Sequence, residues 1–376
     1  MPIEFRSTFR KLCFAVACLI VVGLYLLLAG RAYWAAHLAA SPDLHNIQRA
    51  IRLEPSNAEY RELLGRNLAL SGASLDGAIS DYRTSVQLNP YESRYWLDLA
   101  SAYQVAGNVH EQEQSVEQAV QADPTTPHVA AEAANFFLLQ GNLEKALRHF
   151  RTVLANDPET VYPTLQICWR VSGDANQIFD QALPQRTDLY LAFLRLLVSK
   201  QEVGAAENAW GHLIGLQRTF PAELAFPYFR LLIAKQEVVP MQNAWQQLAK
   251  VDTALLPYVA SSENLIVNGG FEESLLNGGL DWWYESNPHA ALAVDTDQFY
   301  RGTRSLSVTF DGTSVSEARI SQFIPVKPDT DYEFSAESTS GYRFSSSSTR
   351  VNSSSAFTRS FTLARASLCP FRCRET

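Results

Sequence analysis

Pro90, Pro124 and Pro158 stand 34 residues apart, and Pro55 stands 35 before Pro90. Gly107 and Gly141 share the 34-residue step. A fixed period of this length means that one supersecondary unit is copied along the chain, each copy burying its apolar face on the next. Within each copy the apolar residues keep a helical period, so the unit is a pair of helices. Glycine suits a left-handed turn between the two, and proline ends the second.

The run from Ser93 to Pro124 carries Trp96, Leu99, Ala100, Tyr103, Gly107, Ala119 and Pro124. The next carries Phe137, Gly141, Ala146, Phe150 and Pro158, and the one before carries Leu64, Gly65, Leu68, Ala78, Tyr82 and Pro90. These spacings resemble the tetratricopeptide repeat (TPR). The resemblance implies a mainly α fold, a TPR-type α-solenoid. In it, small residues such as Ala78 and Ala146 let paired helices approach, and aromatics such as Tyr103 and Phe150 fill the gap to the next helix. The best repeats are 58–90, 93–124 and 127–158. Asp43 to Pro55 reads as the second helix of a partial leading repeat. A second internal repeat has period 35: Arg195-Leu-Leu, Lys200-Gln-Glu-Val and Asn208-Ala-Trp recur at Arg230, Lys235 and Asn243. Degenerate hairpins over 159–255 therefore extend the solenoid, which spans 43–255. By position in the repeat, Glu62, Arg66, Arg94, Ser101, Gln104, His128 and Asn135 should line a groove. Chaperone-binding relatives hold a peptide carboxylate there with a clamp of Lys, Asn and Arg. The matching residues form no complete clamp, but Arg66, Arg94 and Asn135 suit an acidic or extended peptide. The motif encodes packing and leaves the ligand open.

Leu12 to Gly30 is almost continuously apolar. As a helix it rises about 28 Å, close to the hydrocarbon thickness of a bilayer. Tyr33 and Trp34 follow at headgroup depth. The segment 12–30 is read as a transmembrane helix with 1–11 as a cytoplasmic tail, because Arg6, Arg10 and Lys11 precede it and Arg31 follows it. The bulk of the chain would then be extracytoplasmic, on a single-pass inner-membrane anchor. The rival is a signal peptide cleaved near Ala40. Such a peptide has a shorter apolar core with a small-x-small site directly behind it, and Arg31-Ala-Tyr-Trp is not one.

Near Ser261 helical periodicity stops and short alternating segments begin. Asn264-Leu-Ile-Val-Asn-Gly-Gly-Phe-Glu272, then Gly278-Gly-Leu-Asp-Trp-Trp-Tyr284, then Gly302-Thr-Arg-Ser-Leu306 resemble the start of a carbohydrate-binding-module-like jelly roll of the galactose-binding type. The resemblance covers 264–336 and implies a partial antiparallel β-sandwich. It also implies glycan contact, for which Trp282 and Trp283 are the candidates. Neighbours in a strand point to opposite faces, so one should be core and the other free to stack on a sugar. The family often holds a structural calcium, for which Glu272 and Asp295 are the only ligands this sequence offers; no other cofactor is implied. The Ser- and Arg-rich tail 337–376 lacks the expected alternation. Two explanations stand, a disordered tail or a shifted reading frame, and the residues favour the second.

Composition narrows the function. Charged residues are 19% and hydrophobic residues 47% of the chain, which is globular rather than disordered. The net charge of −8 offers no basic footprint for nucleic acid. Cys13, Cys18, Cys168, Cys369 and Cys373 form no regular disulfide framework, and Cys369 and Cys373 have no second ligand pair for zinc. His110-Glu111 lacks the second histidine of a zinc protease, and no nucleophile elbow or phosphate loop appears. The expectation is a non-enzymatic, membrane-anchored scaffold whose groove binds a protein, in envelope or surface-polysaccharide assembly. The alternative is a surface glycan-binding protein that acts through the sandwich.

Overall fold

In the computed structural model each proline of the repeat follows a helix end, and each glycine of the repeat turns one helix into the next. The structure describes residues 8–299, 301–313, 320–327, 330–338, 344–350, 357–360 and 368–375. Helices α3 (Ala58–Ser71) and α4 (Leu75–Leu88), α5 (Ser93–Ala106) and α6 (Val109–Ala122), and α7 (Pro127–Leu139) and α8 (Leu143–Asn156) are three successive hairpins. Ser74 caps α4 by accepting from the Gly77 amide at 3.0 Å, and Asn142 caps α8 by accepting from the Lys145 amide at 3.1 Å. Gly107 ends α5 at φ +74, and its amide donates to the Gln104 carbonyl. Between hairpins, Tyr82 of α4 and Tyr103 of α5 are both buried in one cluster with Ala78, Leu99 and Ala102. A side chain at Gly65 would press on the Tyr82 ring, so the small residue here sets the helix spacing.

The leading repeat is complete, because its first helix is the end of the apolar one. Helix α1 (Thr8–Ala39) is 32 residues long and continues past Gly30 without a break. It packs against α2 (Leu44–Leu53), and Ala35, Ile47, Ala50, Ile51, Tyr60 and Leu64 form one buried cluster. Ala35 has no exposed surface, whereas the apolar residues from Leu19 to Leu28 are about half exposed or more.

The chain divides into two compact units, Met1–Thr160 and Val161–Thr376. The second joins the degenerate hairpins to the β-structure. Its helices are α9 (Val161–Ser172), α10 (Ala175–Gln181), α11 (Thr187–Ser199), α12 (Val203–Gly215), α13 (Phe226–Ala234) and α14 (Val238–Val251). The period-35 repeat maps onto α11/α12 and α13/α14. At its turns Gln201 and Gln236 take the place of glycine in the left-handed region, each with φ 62. Both use their side-chain amides to hold a carbonyl three residues back, Val198 at 3.3 Å and Ile233 at 3.2 Å.

The β-structure is two antiparallel sheets. β1 (Trp283–Tyr284), β4 (Ile320–Pro325) and β7 (Phe357–Ser360) make one, in the order β1-β4-β7. β2 (Ala290–Asp295), β3 (Ser305–Phe310), β5 (Asp331–Ser338), β6 (Phe344–Arg350) and β8 (Leu368–Glu375) make the other, in the order β2-β3-β8-β5-β6. The tail 337–376, whose sequence lacks the expected alternation, carries strands in the structure. The backbone of β6, β7 and β8 pairs with β5, β4 and β3. The run of serines that hid the alternation is compatible with extended backbone, since a strand needs ladder partners as much as apolar faces. Ile266, Phe271, Trp282, Leu306, Ile320, Ile324, Val326 and Tyr332 form the sandwich core.

Candidate functional site

The first helices of successive hairpins lie side by side, α3 on α5 and α5 on α7. That row carries all the groove residues named from the sequence. Arg94, Ser101, Gln104, His128 and Asn135 are exposed on it. Glu62 and Arg66 are brought together with Arg94 and with Asp98, a residue that sequence reasoning missed. Arg66 pairs with Glu62 one turn earlier and reaches Asp98 of α5 at 3.4 Å. Asp98 was legible only as the residue one helical turn beyond Arg94 (i, i+4).

This geometry changes the roles. Arg66 is held between two carboxylates, so it braces α3 against α5 and is not a free cation for a peptide. Glu62 is fully buried, and burial followed by a hydrogen bond to Asp98 pushes its carboxyl up to about 7 against the pull of Arg66. In its protonated form Glu62 is the group that would donate to Asp98. Burial and the same two carboxylates also push the Tyr82 phenol up. Arg94 lies over the Tyr95 ring at 5.4 Å and keeps its guanidinium exposed, which makes it the accessible cation of this cluster.

In the second unit the adjacent tryptophans separate as the strand alternation requires. Trp282 is fully buried, tilted on Phe271 with its Nε1 donating to the Asn268 carbonyl at 3.1 Å. It belongs to the core and is corrected as a glycan contact. Trp283 is half-buried. Its Nε1 donates to the Gly279 carbonyl at 3.1 Å, the Arg230 guanidinium sits 4.8 Å from its ring centre, and Phe323 meets it edge-on. Arg230 therefore covers a face that a sugar would need. Beneath them Asp281 is buried, and desolvation raises its carboxyl to about 6 although the Leu276 amide donates to it at 2.7 Å.

Gly278 and Gly279 form the seam between sandwich and helices. A side chain at Gly278 would overlap the Phe226 ring, and one at Gly279 the Trp245 ring. Trp245 donates to the Tyr258 carbonyl and the Tyr258 hydroxyl donates to the Ser274 carbonyl, each at 2.7 Å.

Glu272 and Asp295, the residues offered for calcium, each accept local hydrogen bonds. Glu272 accepts from the Thr303 amide at 2.7 Å, the Thr303 hydroxyl at 2.5 Å and the Arg304 amide at 3.3 Å, which pulls its carboxyl below the usual range. It clips the opening segment to the loop before β3. Asp295 accepts from the amides of Asp297 and Gln298 within its own turn. Among the described residues no group of three His, Cys, Asp or Glu side chains is placed to hold a metal. Cys168 is buried, its thiol pushed up to about 12 by desolvation, so it packs and does not react. The side chains of Cys369 and Cys373 lie outside the described residues.

Residues 263–359 match the carbohydrate binding domain family. The match continues beyond Ala336 into the tail, as the strands do. No curated protein sequence matches the chain. Among solved structures, the chain is similar to a tetratricopeptide repeat protein from Parabacteroides merdae at 15% identity, over 60% of this chain and 93% of that one, with a TM-score of 0.34. It is similar to pilF of Pseudomonas aeruginosa at 16% identity, over 53% and 93%, with a TM-score of 0.29. The first TPR of Spaghetti, bound to an HSP90 peptide, aligns at 20% identity over 31% and 94%, with a TM-score of 0.28. At these scores the TPR character of the helices rests on their own 34-residue period and hairpin geometry.

Proposed function

We propose that this chain is a non-enzymatic, membrane-anchored scaffold that binds a protein segment along the row formed by α3, α5 and α7. The observation that carries this reading is the row itself. Arg94, Gln104, His128 and Asn135 project from adjacent first helices into solvent, while Glu62, Arg66 and Asp98 tie α3 to α5 beside them. A preorganised polar surface with one accessible cation suits an extended, acidic segment. The anchor is α1 and the chain beyond it is extracytoplasmic, where envelope or surface-polysaccharide assembly would use it. A photo-crosslinking side chain at Gln104 should form one defined adduct in intact cells, lost when Arg94→Glu is added. The same probe at Gln118, on the second helix α6, should form none. Equal labelling at both positions would end this reading.

A second reading is favoured by the family match over 263–359: the sandwich binds a glycan. Trp282 cannot serve it, and Trp283 would serve only if Arg230 moved aside. Affinity electrophoresis of the full chain through gels containing neutral and acidic polysaccharides separates the outcomes. Retardation that Trp283→Ala abolishes and Arg230→Ala strengthens would support a ring exposed to sugar. Unchanged mobility in every gel would leave the sandwich as a packing module.

A further inference from the structure

The continuation of α1 into the first repeat creates a cavity of about 540 Å³, lined by Trp34, Leu38, Arg49, Arg52 and Leu53. Its depth in a bilayer follows from helix geometry. Helix α2 packs back along α1, and its ten residues retrace about 14 Å from the level of Ala39. Leu53 and Arg52 are thereby returned to the level of Gly30 and Arg31, where the apolar run ends. Trp34 is 59% exposed beside them, in the aromatic position of a membrane interface. Arg49 and Arg52 are exposed, and among the described residues no carboxylate forms an ion pair with either. Two free guanidiniums are thus fixed at headgroup depth above Leu53, whose apolar side chain continues the surface of the membrane helix.

We infer that this cavity binds the phosphate headgroup of an anionic phospholipid, with Arg49 and Arg52 on the phosphate, Trp34 beside them at the interface and Leu53 against the acyl chain. Guanidinium is the fitting cation because it offers paired donors to phosphate oxygens. Bound lipid would tie the first hairpin to the bilayer surface and fix the height and orientation of the groove above it. This inference rests on the reading of α1 as a membrane anchor.

The test uses the full chain in nanodiscs or mixed micelles containing phosphatidylcholine and phosphatidylglycerol, with retained lipid counted by native mass spectrometry. Two guanidiniums at an anionic surface should enrich phosphatidylglycerol about tenfold over phosphatidylcholine. Arg49→Gln with Arg52→Gln should bring the ratio close to one, and Arg49→Lys with Arg52→Lys should restore part of it. An enrichment the Gln pair leaves unchanged would overturn the proposal. So would displacement of the lipid by inorganic phosphate, which would show a site for the free anion. The underlying anchor is tested separately by alkaline washing of membranes. A chain that stays in the pellet yet shows no lipid preference defeats the headgroup site alone. A chain released by the wash defeats the anchor and the site together.

Discussion

At the residue scale, Glu62 is where the fold most alters ordinary chemistry. Its folded carboxyl, near 7, lies above its ordinary value of 4.5, so the folded state keeps a proton that the unfolded chain releases. Stability contributed by that proton is fully present below pH 4.5 and is lost as pH rises towards 7. The full span is worth up to about 3 kcal/mol. Glu62→Gln should therefore leave urea stability unchanged at pH 4.5 and raise it by about 1–3 kcal/mol at pH 8. Parallel pH curves for variant and parent would show that Glu62 is not held protonated. Glu62 and Arg66 could be placed on one face from repeat position alone. That they face Asp98 could not, because the partner lies on the first helix of the next repeat. The left-handed glutamines make the complementary case. Gln236 sits where the repeats of the first unit use glycine, and a side chain in that backbone region costs about 1 kcal/mol. Gln236→Gly should stabilise the second unit by up to about that amount, whereas Gly107→Ala should destabilise the first by a similar one. Opposite signs in thermal melts are the check.

At the element scale, α1 has two environments on one continuous helix. Its stretch Lys11–Ala39 is long and apolar enough to cross a membrane by length and composition, and that much was legible. Its last turns were not legible as a repeat helix, because the hydropathy of the span runs straight into them and hides the one-sided pattern of Ala35, Leu38 and Ala39. The partial repeat read over Asp43 to Pro55 was therefore a second helix without its first. Ala35 decides whether these turns are structural. It is fully buried against α2, and a larger side chain would push the helices apart. Ala35→Leu should cost about 1–3 kcal/mol. Hydrogen exchange should then quicken in α2 and leave α7 and α8 unchanged. Equal exchange in α2 would mean that the repeat does not depend on α1, and a cleaved leader would again be compatible with the core.

At the scale of the whole molecule, the change of texture near Ser261 was readable as the end of the helices, yet it is not a boundary between independent bodies. The degenerate hairpins and the sandwich lie in one compact unit, Val161–Thr376. The cause lies in residues whose sequence meaning was ambiguous. Gly278 and Gly279 matched a family motif, and nothing local said that aromatic rings from α13 and α14 would rest on them. Trp245 read as part of the period-35 repeat and Phe226 carried no signal, and their contact with the glycines appears only when the sandwich arrives 30 residues or more later in the chain. Gly279 tests the coupling. Its φ of +63 disfavours any side chain, and a methyl there would run into the Trp245 ring, which is held by its bond to Tyr258. Both penalties act on Gly279→Ala, with a combined cost above about 2 kcal/mol. Gly215→Ala is the control, because that position opens to solvent. If helices and sandwich are one cooperative body, Gly279→Ala should lower a single calorimetric transition for both. It should also expose the segment around Ser261 to protease, while Gly215→Ala changes neither. If the sandwich instead melts alone and the helices keep their midpoint, the seam is a loose contact and the glycines serve only the local turn.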